Sequence, residues 1–168
     1  MDNDAIREYL RLLMGDLAKQ TKGAEIQETE DGPVLLCSVQ SPFGSGEEIG
    51  FQFEITPLDN GLFVIEVLIF MFGGIDPAKL PDVEKLVAQL NINCDIGSFK
   101  TIDEEGFVLY TQGRIFDEEL DPALITDTLG KTVTLMESNA ESLGRFIYRC
   151  LNGEELEKLL DEARRIGQ

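Results

Sequence analysis

The segment LFVIEVLIFMF, residues 62–72, is apolar at every position except Glu66. Its β-branched and aromatic side chains suit the pleated surface of a buried strand. The preceding Asp59-Asn60-Gly61 favours a hairpin turn, because asparagine and glycine adopt positive φ at little cost. We therefore predict that residues 62–72 form the central strand of a sheet and that a second strand precedes the turn.

The residues before this turn, 49–56, alternate between apolar and polar side chains and predict the partner strand. A three-residue loop sets the register so that Ile55 faces Ile65 and Phe53 faces Val67. These odd-numbered positions are apolar on both strands and should form the core face. The even-numbered face combines polar residues of the first strand with five side chains of the second. We predict that these five bind a protein partner or a second copy of the chain: Val64, Glu66, Leu68, Phe70 and Phe72.

Apolar residues recur every three or four positions in four further segments, which predicts amphipathic helices. The first spans residues 6–17. The second starts either at Asp76-Pro77 or at Pro81 and ends near residue 90. We expect these two helices to cover the odd face of the sheet through Ile6, Leu10, Leu13, Val83, Leu86 and Leu90.

The third helical pattern follows Asp121-Pro122 and continues to Leu151. Gly130 and the β-branched residues 132–134 weaken it, so a short strand over residues 130–136 is the alternative. The fourth pattern follows Asn152 and Glu155, which are spaced to form a helix cap.

Further strand patterns cover residues 24–30, 34–40, 98–102 and 107–116, and the last two flank the turn Asp103-Glu104-Glu105-Gly106. The order of elements predicts an α+β fold, because strands that follow one another in hairpins form an antiparallel sheet. We expect a sheet of about five strands, helices mainly on one face, and a single domain spanning residues 1–168.

Acidic residues dominate the charge: 32 Asp and Glu against 14 Lys and Arg give a formal net charge of −18. Such a field repels the phosphates of nucleic acids and of anionic membranes, so we expect neither as a partner. The N-terminus, Met1-Asp2-Asn3-Asp4, is acidic where a secretory signal is basic. Cys37, Cys94 and Cys150 are too widely separated to indicate a disulfide framework or a metal site. We expect a cytoplasmic protein.

The sequence shows no pattern of catalytic residues. It contains no histidine, which removes the commonest general base and metal ligand. Gly130-Lys131-Thr132 imitates the end of a phosphate-binding loop, but Ile125 stands where that motif requires glycine. Glu54 and Glu66 face each other in the predicted register, and a solvated carboxylate pair is favoured there over an acid–base or metal site. We therefore expect no enzymatic activity, no metal and no cofactor.

Three segments resemble the YbjN-like family: VEKLVAQLN at 83–91, GSF at 97–99 and DEEGFVLY at 103–110. They share its pattern of a helix ending in Leu-Asn, a Gly-x-Phe strand start and a hairpin closed by acidic residues and glycine. The resemblance implies the fold of type III secretion chaperones, which are small acidic proteins that usually dimerise and bind partner proteins.

Two classes of function follow from these observations. The first is a cytoplasmic protein-binding module of chaperone or regulatory type, which would dimerise through the even face of the central strand. The alternative is a domain that senses a small molecule or a metal, using Glu54 and Glu66 or a pocket beneath the helices. A monomer is also open at this stage, since the last helix, with Leu156, Leu159 and Leu160, could cover the even face.

Overall fold

The computed structural model describes residues 1–17, 22–44, 48–102 and 106–166. Six strands form one antiparallel sheet in the order β1-β2-β3-β4-β6-β5, and the fold is α+β. The predicted class is therefore confirmed, with one strand more than expected. The elements are α1 (Asn3–Leu17), β1 (Lys22–Thr29), β2 (Gly32–Gln40), β3 (Glu48–Pro57), β4 (Leu62–Phe72), α2 (Leu80–Asn91), β5 (Ser98–Ile102), β6 (Phe107–Asp117), α3 (Pro122–Leu151) and α4 (Leu156–Arg165).

The β3–β4 hairpin has the predicted register. Ile55 pairs with Ile65 and Phe53 with Val67. Asn60 and Gly61 have φ angles of 64° and 73°, as this turn requires. The turn of the second hairpin, Asp103-Glu104-Glu105, lies outside the described residues, as do Ser45 and Gly46 of the loop before β3.

The odd-numbered side chains of β3 and β4 are buried, apart from Pro57 at the end of β3, and the helices lie on their side of the sheet. Tyr9 of α1 packs its ring 5.3 Å from that of Phe63. Asn139 of α3 donates to the hydroxyl of Tyr110, which pairs with Ile69 on this face. The six side chains predicted to make the helix contacts are all buried in the same core: Ile6, Leu10, Leu13, Val83, Leu86 and Leu90.

The third helix is continuous over 30 residues, so the alternative of a strand at 130–136 is wrong. Asp121 caps its start by accepting from the backbone N–H of Ala123 at 2.9 Å. The hydroxyls of Thr132 and Thr134 donate to carbonyl oxygens four residues earlier, which satisfies these groups inside a helix. Lys131 pairs with Asp127 one turn away at 2.6 Å, and the sequence that imitated a phosphate loop is therefore helical.

Two helix starts differ from simple cap patterns. The second helix begins at Leu80 with Pro81 in its first turn, and Asp76 instead closes a preceding turn by accepting from the N–H of Ala78. The predicted cap of the last helix by Asn152 is wrong. Its side chain donates instead to the carbonyl of Tyr148 at 2.8 Å, and its backbone N–H donates to the same carbonyl at 3.1 Å, so Asn152 closes the end of α3.

The last helix packs on α2 and α3. Leu159 and Ala163 are fully buried, and Asn93 beyond α2 donates to the carbonyl of Ala163 at 2.8 Å. This location differs from the alternative in which the last helix covers the even face of β4. Among the described residues, no helix is both long and apolar enough to cross a bilayer.

Candidate functional site

The candidate site is the face of the sheet that points away from the helices, which we call the open face. Strand pairing places on it the even-numbered residues of β2 to β5 and the odd-numbered residues of β6. Its central residues are Val34, Leu36, Gln52, Glu54, Val64, Glu66, Leu68, Phe70, Lys100, Ile102, Phe107, Leu109, Thr111 and Ile115.

Apolar side chains of the open face remain accessible. Val64, Leu68 and Phe70 are half-buried, although they lie on the central strand. Ile115, which pairs with Val64, is 65% exposed. Leu109 is buried between its cross-strand neighbours on this same face. The result is an apolar surface at the middle of the sheet that the described helices do not cover.

The two predicted carboxylates face each other, and neighbouring side chains hold each of them. Glu54 and Glu66 are direct cross-strand partners. Glu66 accepts from the hydroxyl of Thr111 at 2.7 Å and lies 3.8 Å from the ammonium of Lys100. Glu54 accepts from the side-chain amide of Gln52. In the described part of the chain, no group of three or more His, Cys, Asp or Glu residues is arranged to hold a metal ion.

The fifth predicted contact residue, Phe72, lies at the end of the row, where it and Phe70 line one groove. The strand register shifts between Phe70 and Phe72, and the ring of Phe72 packs 5.2 Å from that of Phe43. Phe43 in turn stacks on Tyr148 of α3 at 5.9 Å. Phe72 therefore joins the end of the sheet to the helical layer, whereas Val64 to Phe70 form the row on the open face.

An aromatic groove of about 580 Å³ extends this row past the end of β4. Phe70 and Phe107 form one wall, where their rings meet edge to face, and Tyr148 forms another. Gly73 allows this packing, since a Cβ there would lie 2.5 Å from a ring carbon of Phe107. The glycine at this position thus shapes the edge of the open face.

Sequence reasoning missed the part of the site that the second hairpin supplies. Lys100, Phe107, Thr111 and Ile115 reach the open face only because β6 lies beside β4. Residues 107–110 are all apolar, so the sequence indicates a strand but has no alternation that would show which residues lie on the open face. Assigning these residues to a face also required knowing which strand is the neighbour of β4.

The residues that carry the family resemblance form a structural lock at the other edge of the sheet. The side-chain amide of Asn91 accepts from the N–H of Phe99 at 2.7 Å and donates to its carbonyl at 2.9 Å. It thereby occupies the outer edge of β5 as a further strand would. Gly97 has a φ of 72° and lies against the ring of Tyr110, whose hydroxyl donates to the carbonyl of Ile96. These residues join α2 to the β5–β6 hairpin.

Comparison with known proteins identifies the family of the chain. No curated protein matches the chain significantly. The model of the YbjN family, described as "Putative bacterial sensory transduction regulator", matches residues 23–145. The match runs from β1 into α3, includes the Asn91 lock and all of the open face, and covers well over half of the chain. The chain therefore belongs to the YbjN family.

Proposed function

We propose that this chain is a regulatory module that acts by binding protein through its open face, without catalysis and without a cofactor. The family description supports a regulatory role. The partner that the face fits most simply is a second copy of the chain. We further propose that residues 1–168 act as one domain in the cytoplasm.

The observation that carries the proposal is the accessible apolar row Val64, Leu68 and Phe70, continued across β6 by Ile115. An antiparallel sheet can leave one face in water, but that face is then normally polar. Monomeric proteins rarely expose a contiguous apolar patch of several large side chains. A protein surface that covers this row would remove it from water.

The charges beside the row favour a defined contact. Lys100 lies beside Glu66, so one of the two facing carboxylates has a cationic neighbour. Glu54 accepts from Gln52, and no described cation pairs with it. A contact that buried Glu54 unpaired would be costly, because an ionised carboxylate loses its hydration there. This restricts the orientations in which two sheets can stack and so limits open-ended aggregation.

A pair of substitutions tests the open face. Leu68→Glu places a carboxylate in the middle of the row and should convert a dimer to a monomer in light scattering. Leu135→Glu is the matched control, since Leu135 is 55% exposed on α3, away from this face. We expect the control to retain the mass of the wild type. Equal masses for all three folded proteins would refute the role of the open face in self-association.

The same variants test the case in which the partner is a different protein and not a second copy of the chain. Wild-type protein should capture it in stoichiometric amount from the native cytoplasm, the Leu135→Glu protein should retain it, and the Leu68→Glu protein should lose it. Retention by both variants would place the binding surface elsewhere on the molecule.

A further inference from the structure

A second cavity lies on the helix side of the sheet, beneath α3. It lies beside the C-terminal ends of β2 and β4 and the N-terminal end of β3. It has a volume of about 210 Å³. Ile49, Phe51 and Ile69 line it, and each of these side chains is itself buried. Val39, Pro42 and Ala140 complete the apolar lining. The cavity thus presents hydrocarbon on most of its surface.

Two carboxylates of α3 line the cavity one helical turn apart, and their surroundings differ. Glu141 is paired with Arg145 at 2.6 Å. Glu137 lines the cavity while exposed to solvent, and it makes no hydrogen bond or ion pair with any residue in the described ranges. A hydrated carboxylate beside an apolar cavity attracts a ligand that carries a positive charge next to a hydrocarbon chain.

We propose that this cavity binds a small organic ammonium ion, with its hydrocarbon chain on Ile49, Phe51 and Ile69 and its ammonium group at Glu137. The apolar lining accounts for the chain, and the unpaired carboxylate accounts for the head group. The volume suits a short aliphatic chain. The net charge of −18 favours the approach of a cation over that of an anion.

The electrostatics of Glu137 agree with this assignment. Partial burial beside the cavity raises the pKa of its carboxyl, although the side chain keeps a large part of its surface in water. An ammonium group within hydrogen-bonding distance reverses that effect by stabilising the carboxylate.

This inference is independent of the proposed protein contact. The cavity lies under α3 on the core side of the sheet, whereas the open face is the opposite side. Loss of ligand binding therefore need not alter the oligomeric state, and a Leu68→Glu monomer should still bind the ligand. The two proposals can fail separately.

The test uses n-hexylammonium as the probe, with calorimetry for affinity and methyl NMR of Ile49 and Ile69 for location. We expect saturable binding, with a dissociation constant of about 1 mM or tighter for a ligand of this size. Methylammonium carries the charge without the chain, and n-hexanol carries the chain without the charge. Each should bind at least about tenfold more weakly, because each lacks one of the two contacts.

Two glutamate variants provide the matched comparison. Glu137→Gln should weaken hexylammonium binding by about tenfold or more, since it removes the charged partner. Glu141→Gln should leave the affinity within about threefold of the wild type, well inside that tenfold interval. An Ala140→Leu variant that melts as the wild type does should lose binding, because the added side chain enters the cavity.

Several results would overturn the proposal. One is hexanol binding as tightly as hexylammonium, and another is equal effects of the two glutamate variants. The others are NMR chemical-shift changes that spare the Ile49 and Ile69 methyls, or no saturable binding up to about 10 mM, tenfold above the expected dissociation constant.

Discussion

At the scale of single residues, the two faces of β4 differ in whether they tolerate a charged side chain. Val67 is 1% exposed among core side chains, whereas Val64 is half-buried on the open face. An isolated carboxylate at Val67 costs several kcal/mol, and a domain is held together by only about 5–15 kcal/mol. Val67→Asp should therefore abolish folding, whereas Val64→Asp should leave a folded protein. Circular dichroism and thermal melting of both variants measure the difference, and a Val67→Asp protein that melts as the wild type does would contradict the assigned register.

Asn91 is the second residue for which the effect of a substitution on stability can be predicted. An Asn91→Leu substitution retains the size of the side chain but leaves the N–H and carbonyl of Phe99 without their partner. Leaving buried polar groups unsatisfied costs about 1–3 kcal/mol. We expect the urea midpoint of unfolding to fall accordingly. An unchanged midpoint would show that the lock contributes no stability.

At the scale of elements, a charged cluster holds the last helix on the third. Arg149 of α3 donates to Glu154 at 2.6 Å and to Glu162 of α4 at 2.7 Å, and Lys158 reaches Glu154 at 2.7 Å. The hydrogen bond from Arg149 lowers the pKa of Glu154 from 4.5 to about 2, and Arg149 also lowers the pKa of Glu162. Because the folded protein favours the charged forms, their contribution is present above about pH 5 and is lost as the pH falls towards 2.

Thermal melting as a function of pH tests this cluster. Wild-type protein should melt above a Glu154→Gln variant at pH 7, and the difference should shrink steadily between about pH 5 and pH 2. Comparing the two proteins removes the general effect of titrating the other carboxyl groups. A difference that stays constant over this range would mean that Glu154 does not stabilise the folded state through its charge.

Local elements could be predicted from the sequence, and their neighbours in space could not. The hairpin of residues 49–72 could be predicted, because the alternation of residues 49–56 and the length of the Asp59-Asn60-Gly61 loop determine its register. The length of α3 was ambiguous, since Gly130 and Thr132 disfavour helix locally while packing along the whole helix outweighs them. The placement of α4 on α2 and α3 depends on long-range contacts that no local pattern encodes.

The candidate site was predictable to a similar extent. The row Val64 to Phe70 follows from the alternation of residues 49–56 and the register of the hairpin. The contribution of β6 and β5 depends on sheet order, and the pairing of Phe72 with Phe43 depends on a register shift. The cavity at Glu137 lies between residues from three strands and a helix, so it had no signal in the sequence beyond a carboxylate on an amphipathic helix.

At the scale of the whole molecule, the net charge and the apolar open face have opposite effects on self-association. Each chain carries a net charge of −18, so two copies repel at long range, and salt screens this repulsion over about 10 Å at 0.1 M. The proposed contact through the open face would remove apolar side chains from water, which favours association. Self-association through it should therefore strengthen as sodium chloride is raised, whereas a dimer held by ion pairs would weaken.

The central claim is that the open face is covered by protein, most simply by a second copy. The most direct measurement is the mass of the wild-type chain by analytical ultracentrifugation, at tens of micromolar protein and at low and moderate salt. We predict twice the chain mass of 18.7 kDa, with the dimer favoured at moderate salt. A mass of 18.7 kDa under both conditions would contradict the dimer.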